Sequence, residues 1–303
     1  MTEFEWLNLS DTGGYIAWRN ALLDRAEKAA KLPPILLERL ESPSGAEINA
    51  ILQRCEDTNF APYTTPDSGA DPDETRHKLR LFAAAFGLRI AERHRSAGDQ
   101  GIVALQPSDD PDQRGYIPYS TRALNWHTDG YYNAPQDRIS AFVLHCVTPA
   151  ASGGVNQILD PRIAYIRLRD ADPAFVQALL HPAAMSIPAN TERDGTIRPE
   201  SIGPVFYPDP ETGRMQMRFT ARTRSIHWRD DPATLAAAGF LRDLLQQGDP
   251  LTVETRLGPG QGILNNNVLH NRTAFDPGPG PSRLMFRVRF QNRIGRKPND
   301  QAQ

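Results

Sequence analysis

A chain of 303 residues, 39% of them hydrophobic, is long enough for one large core or for a core with a smaller lobe. Its 34 basic and 36 acidic residues leave a formal charge of −2, so no global basic field recruits nucleic acid. Only two cysteines, Cys55 and Cys146, argue against a disulfide framework; with no basic leader and no long apolar run, the expectation is a cytosolic chain off the membrane.

Ile16, Leu22, Leu23, Ala26 and Ala30 recur at helical spacing over residues 15 to 31. Asp71-Pro72 supplies an N-cap and first helical residue for a helix carrying Leu79, Leu81, Phe82, Ala85 and Phe86, with Gly87 as its stop. Asp172-Pro173 and Asp231-Pro232 repeat that start signal, and Asp160-Pro161 leads into a helical scaffold segment over 163 to 168. Short extended runs lie between, at 101–105, 125–129, 141–147, 205–207, 215–219, 251–257 and 263–264. Such strands, separated by turns and interrupted by helices, suit a mainly β fold with helical insertions, a double-stranded β-helix or jelly-roll barrel. The stretches 106–115 and 188–204, rich in Pro, Asp and Gly, are candidates for ordering over a bound substrate.

Trp126-His127-Thr128-Asp129-Gly130 carries the chemistry. In an extended segment the His127 and Asp129 side chains leave the same face and can grip one metal ion. His270, in Leu269-His270-Asn271-Arg272-Thr273-Ala274-Phe275, is the candidate third ligand. Two histidines and one carboxylate leave three octahedral positions open, which suits an oxygen-activating Fe(II). After a turn at 276–281, Leu284, Phe286, Val288 and Phe290 alternate with Arg283, Met285, Arg287 and Arg289, so one face of a strand carries three arginines. That face is either solvated or, this close to a metal ligand, aimed into a cavity where a guanidinium meets a carboxylate. Tyr131 and Tyr132 either line a substrate pocket beside the motif or pack as aromatic core, and His145-Cys146 is read as a buried structural pair.

These pieces resemble the Fe(II)- and 2-oxoglutarate-dependent dioxygenases of the TauD/TfdA group, the taurine dioxygenase and clavaminate synthase-like proteins. Trp126 to Asp129, Gly153-Gly154, Leu269 to Phe275 and Arg283 to Arg287 occur in the family's order and span residues 115–292. Phe142 to Cys146, leading to the Gly-Gly pair, looks most like the γ-butyrobetaine and trimethyllysine hydroxylase branch, and the paired arginines more like the taurine branch. The resemblance implies a single catalytic domain over 1–303, with a mostly helical lobe (1–114) packed outside a β-helix core (115–295) and a flexible tail (296–303). It implies His127, Asp129 and His270 on Fe(II), Arg283 and Asn156 on 2-oxoglutarate, and Arg287 with Tyr131 and Tyr132 on the primary substrate. The reaction is then hydroxylation of an unactivated C–H bond in a small anionic or zwitterionic metabolite by O2, with succinate and CO2 released. Asp129 stands where related halogenases lack a carboxylate, which favours an oxygen-derived product. The chain departs from the pattern at Asn156, where Thr or Ser is usual, and at Asn265-Asn266-Asn267, where an acidic residue is often found. A catalytically silent barrel binding a small anion, and a zinc hydrolase built on the same triad, are the alternative readings. The sequence sets no oligomeric state.

Overall fold

The computed structural model describes residues 5–66, 71–91, 101–110, 116–191, 195–280 and 282–295. Among them are six α-helices: α1 (Thr12–Ala30), α2 (Gly45–Thr58), α3 (Pro72–Ala85), α4 (Pro161–Ala171), α5 (Pro173–Leu179) and α6 (Pro232–Gln247). Five begin on an aspartate, at Asp11, Asp71, Asp160, Asp172 and Asp231, and the last four of these have proline next, whose missing N–H would be unsatisfied there in any case. The sixth, α2, starts on Ser44 in a reciprocal capping box with Glu47. That helix was absent from the sequence expectation.

Two sheets position the site. Their strands are β1 (Ile35–Leu36), β2 (Phe60–Thr64), β3 (Ile102–Leu105), β4 (Leu124–His127), β5 (Ala141–Thr148), β6 (Asn156–Leu159), β7 (Val253–Thr255), β8 (Gln261–Asn265), β9 (Leu269–Arg272) and β10 (Leu284–Phe290). The larger sheet runs β1-β2-β8-β5-β10-β3 and the smaller β7-β6-β9-β4. All pairings are antiparallel except β1 with β2. Small two- and three-stranded sheets occupy the insertions between α5 and α6. The fold is mainly β with helical insertions, as the strand pattern implies.

Packing follows the two-residue period of β10. Phe286, Val288 and Phe290 pack, with Leu284, in a core that also holds Leu37, Ile51, Cys55, Leu79, Phe82 and Phe86, so this face is covered by α2 and α3. Met285, on the opposite face, joins Val103, Cys146, Ile158 and Ile263 in a core contributed by both sheets. Arg283, Arg287 and Arg289 share Met285's face and are buried. A third core gathers α4, α5 and α6 around Trp126, Leu159 and Leu269 of the smaller sheet.

Within 1–114, the range expected as an outer lobe, the described residues hold α1, α2 and α3 together with β1, β2 and β3, and these three strands belong to the larger sheet. Pro62 in β2 is tolerated because β1 is too short to reach it; β1 pairs only with Tyr63 and Thr64. The candidate substrate-ordering stretches fall partly at 111–115 and 192–194, and the tail at 296–303; these lie outside the described residues.

A buried polar knot ties the layers together. Asn59, in the left-handed region at φ 61°, closes α2. Its Nδ2 donates to Asp160 Oδ1 at 2.9 Å, and its Oδ1 accepts from Arg293 Nη2 at 2.6 Å and Asn266 Nδ2 at 3.3 Å. Asn59→Ala removes three buried bonds and strains the backbone, so it should lower unfolding free energy by about 2–4 kcal/mol. Asn59→Gly, free of the strain, should recover about 1 kcal/mol of that. Urea unfolding midpoints of the pair measure both effects, and equal midpoints would mean that the left-handed turn is not strained.

Candidate metal centre

The site forms where β4 meets β9. Their register sets His127 opposite His270, with ring centroids 4.2 Å apart. Each imidazole is oriented the same way: His127 Nδ1 lies 2.9 Å from the Asn125 carbonyl, and His270 Nδ1 lies 2.9 Å from the Val268 carbonyl. A carbonyl only accepts, so Nδ1 carries the proton in both rings and each Nε2 presents a lone pair. Burial, and next the neighbouring His127, push the His270 pKa down to about 3, which keeps that ring in the neutral, metal-ligating form. Asp129 Oδ1 stands 3.6 Å from His127 Nε2. Ligand atoms of His127, Asp129 and His270 all lie within 4.8 Å of one another. Two imidazole nitrogens and a carboxylate of this compactness fit one divalent ion with open positions.

Asp129 is held from every side. Asn267, itself at φ 52°, accepts from the Asp129 N–H at 2.7 Å and donates to the Asp129 carbonyl at 2.9 Å and the Ile139 carbonyl at 2.7 Å. Arg287 Nη1 lies 3.3 Å from Asp129 Oδ1, and Arg289 Nε donates to Oδ2 at 2.7 Å. Burial would raise the Asp129 pKa, but the Arg287 and Arg289 guanidiniums hold it well below the usual carboxylate range.

Arg283 sits at the other end of the arginine face. It is 3% exposed, has no acidic partner among the described residues, and its Nη1 has no acceptor. Burial pushes its pKa down to about 10, so it stays charged. It lines a cavity with Asn156, Gly153, Gly154 and Arg256. The Gly-Gly pair is required there: both residues have positive φ, and a Cβ on Gly153 would stand 2.3 Å from the Ala274 carbonyl oxygen. An orphaned, buried guanidinium is a receptor for a carboxylate, so the chain's residues fit 2-oxoglutarate as they fit the metal.

Other expected residues fall as follows. Tyr131 stacks edge-on to His127, centroids 6.4 Å apart, and edge-on to Tyr132 at 5.1 Å. The Tyr132 hydroxyl engages Arg289, and Arg198 lies over the Tyr132 ring at 5.7 Å. Arg287 sits against Asp129, so in this structure it faces the metal ligand rather than an open anion cavity. Its Nε has no partner. His145 bonds Tyr63 through Nδ1 at 3.0 Å, and Cys146 is fully buried in the core between the sheets. Arg289 and Asn267 went unassigned in the sequence. Both left a signal: Arg289 shares the face of Arg283 and Arg287, and Asn267 belongs to the polar run that departs from the family pattern.

Known proteins resemble this chain in sequence and in fold. The taurine catabolism dioxygenase TauD, TfdA family matches residues 68–289. The chain belongs to this family. It is therefore an Fe(II)- and 2-oxoglutarate-dependent oxygenase of a small molecule, and the silent-barrel and zinc-hydrolase readings are not favoured. A uridine-5'-phosphate dioxygenase of Amycolatopsis sp is 27% identical over 257 residues, covering 79% of this chain and 87% of that protein. One from Streptomyces sp is 26% identical over 247 residues, covering 76% and 85%. Among solved structures, asparagine oxygenase with Fe(II), 2S,3S-3-hydroxyasparagine and succinate matches at TM-score 0.56 and 16% identity, covering 89% of this chain and 90% of that one. The non-haem iron oxygenase OrfP with Fe and α-ketoglutaric acid matches at TM-score 0.59 and 18% identity, covering 89% and 83%. These structures share the fold, the jelly roll of TauD-like oxygenases.

Arg283→Gln should raise the 2-oxoglutarate KM by about thirty-fold or more while sparing the metal, because losing the charged partner of a buried carboxylate costs about 2–5 kcal/mol. Steady-state succinate formation against 2-oxoglutarate concentration gives the answer, and an unchanged KM would remove Arg283 from the cosubstrate site.

Proposed function

We propose that His127, Asp129 and His270 hold Fe(II), that Arg283 and Asn156 hold the distal carboxylate of 2-oxoglutarate, and that the primary substrate is a phosphate monoester such as uridine 5'-phosphate. Bound metal and cosubstrate supply the activation of O2 and the oxidant for a C–H bond. The chain's own groups orient the imidazoles, fix Asp129 and wall the site from water.

Charge carries the substrate assignment. Three buried guanidiniums, Arg283, Arg287 and Arg289, with a divalent metal, exceed Asp129 and a dianionic cosubstrate by two positive charges. Buried charge without a counter-charge is expensive, so the remaining ligand should bring two negative charges. A phosphate monoester dianion does. The surroundings of the two tyrosines are also cationic: Arg198 lies over Tyr132, and Arg222 acts on Tyr131. The cavity beside Asp129 and Tyr131 is lined by Arg138 and Arg218 and, among the described residues, by no carboxylate except Asp129. An amino acid would find no counter-charge there for its ammonium group. Tyr131 and Tyr132 offer ring faces to a base. The names of the two curated relatives support the same choice. Cys55 and Cys146 are free and buried, which suits the cytosol. No helix among the described residues is long and apolar enough to cross a membrane. The whole chain acting as one catalytic domain is part of the same proposal.

With Fe(II), ascorbate and O2, uridine 5'-phosphate should raise succinate release about ten-fold or more over the substrate-free rate, whereas uridine, arginine and asparagine should not. His127→Ala, Asp129→Ala and His270→Ala should each abolish that release. An amino acid or a neutral nucleoside as the best substrate in such a screen would overturn the phosphate assignment.

A further inference from the structure

The two oxygens of Asp129 have different neighbours. Oδ1 stands 3.6 Å from His127 Nε2, on the side of the proposed metal, and 3.3 Å from Arg287 Nη1. Oδ2 accepts the 2.7 Å bond from Arg289 Nε. Arg289 is buried at 6% exposure, one pleat beyond Arg287, and its guanidinium is also engaged by the Tyr132 hydroxyl. Asn267 meanwhile pins the Asp129 backbone through both its N–H and its carbonyl. The carboxylate therefore has its backbone and one oxygen fixed, and Oδ1, whose contact with a guanidinium is the longer of the two, is the oxygen a metal would take.

A carboxylate beside a divalent cation can bind through one oxygen or through both. Two-oxygen binding would fill a fourth coordination position after the imidazoles and Oδ1. Two would remain, too few for a chelating 2-oxo acid together with O2. We propose that Arg289 is a positioning residue that keeps Asp129 a one-oxygen ligand, so that three positions stay open; this rests on the oxygenase reading of the triad. Arg287 cannot do the same work. It contacts Oδ1, the oxygen a metal would take, so metal and guanidinium compete there, whereas the Arg289 bond to Oδ2 is compatible with metal at Oδ1.

The test uses Co(II) in place of Fe(II), since its visible absorption reports coordination number without turnover. In Arg289→Met the carboxylate loses a neighbouring cation, so its pull on a metal is not weakened. Co(II) affinity should match the parent within about three-fold or exceed it. 2-Oxoglutarate, which needs two positions, should still bind, but nitric oxide, a neutral stand-in for O2, should bind the Co(II)–2-oxoglutarate complex about ten-fold or more weakly than in the parent, with an altered Co(II) spectrum. Arg289→Lys, which returns a donor, should recover part of the nitric oxide affinity. Parallel loss of Co(II), 2-oxoglutarate and nitric oxide binding would mark a merely structural role and overturn the proposal, as would unchanged nitric oxide affinity. If Arg289→Met does not fold, Arg289→Lys decides by the same split between metal and nitric oxide affinities. Failure of the parent protein to bind 2-oxoglutarate with Co(II) would instead bring down the oxygenase reading itself.

Discussion

The carboxylate of Asp129, buried between the guanidiniums of Arg287 and Arg289, is the interaction around which the rest is arranged. An ionised carboxylate at 3% exposure is untenable alone, and so are two guanidiniums at 6%. Together they are stable only if β10 and the segment that follows β4 are held at a fixed separation by the two sheets. The sheets in turn need apolar surface elsewhere. β10 provides it by turning Phe286, Val288 and Phe290 outward onto α2 and α3, so this strand is apolar toward the helices and charged toward the interior. The usual rule of apolar inside and polar outside is reversed on it, and the helices make that affordable by covering the outer face.

This reversal explains what was and was not legible in the sequence. The alternation of β10 was plain, but alternation alone does not tell which face is buried when both are. The metal motif made an inward arginine face one of two readings, and the burial of Arg283, Arg287 and Arg289 decides between them. Helix starts written as Asp-Pro were readable at Asp71, Asp172 and Asp231, since proline at the first helical position has a local cause. The start of α2 rests on the side chains of Ser44 and Glu47 bonding across three residues, a weaker pattern to the eye with no proline to mark it. β1 and β2 were hidden for a different reason. The pairing of β2 is set by a partner two hundred residues away in β8, and β1, which pairs only with β2, is a two-residue strand with no periodicity to detect.

The site shows the same division. Ligand identity was legible because chemistry restricts which side chains bind a metal. The supports were less so, because hydrogen bonds to backbone can be made by many residues. Asn267 is the clearest case. A carboxylate at that position could accept from the Asp129 N–H but could not donate to the Asp129 and Ile139 carbonyls, and Asn267 does all three. The departure from the family pattern at 265–267 is thus a structural solution: Asn265 and Asn266 likewise bond Phe142 and Asn59, closing the turn that delivers His270.

One consequence reaches the substrate. With Asp129 already neutralised by Arg287 or Arg289, an additional cationic substrate group finds only repulsion near the metal, while each anion that enters relieves it. The distal cavity with orphaned Arg283 and the arginines about Tyr131 and Tyr132 stand on the same footing. The proposed selection for anions would therefore be a property of the whole interior rather than of one contact. It would follow from three buried arginines, Arg287 and Arg289 on the inner face of β10 and Arg283 just before it.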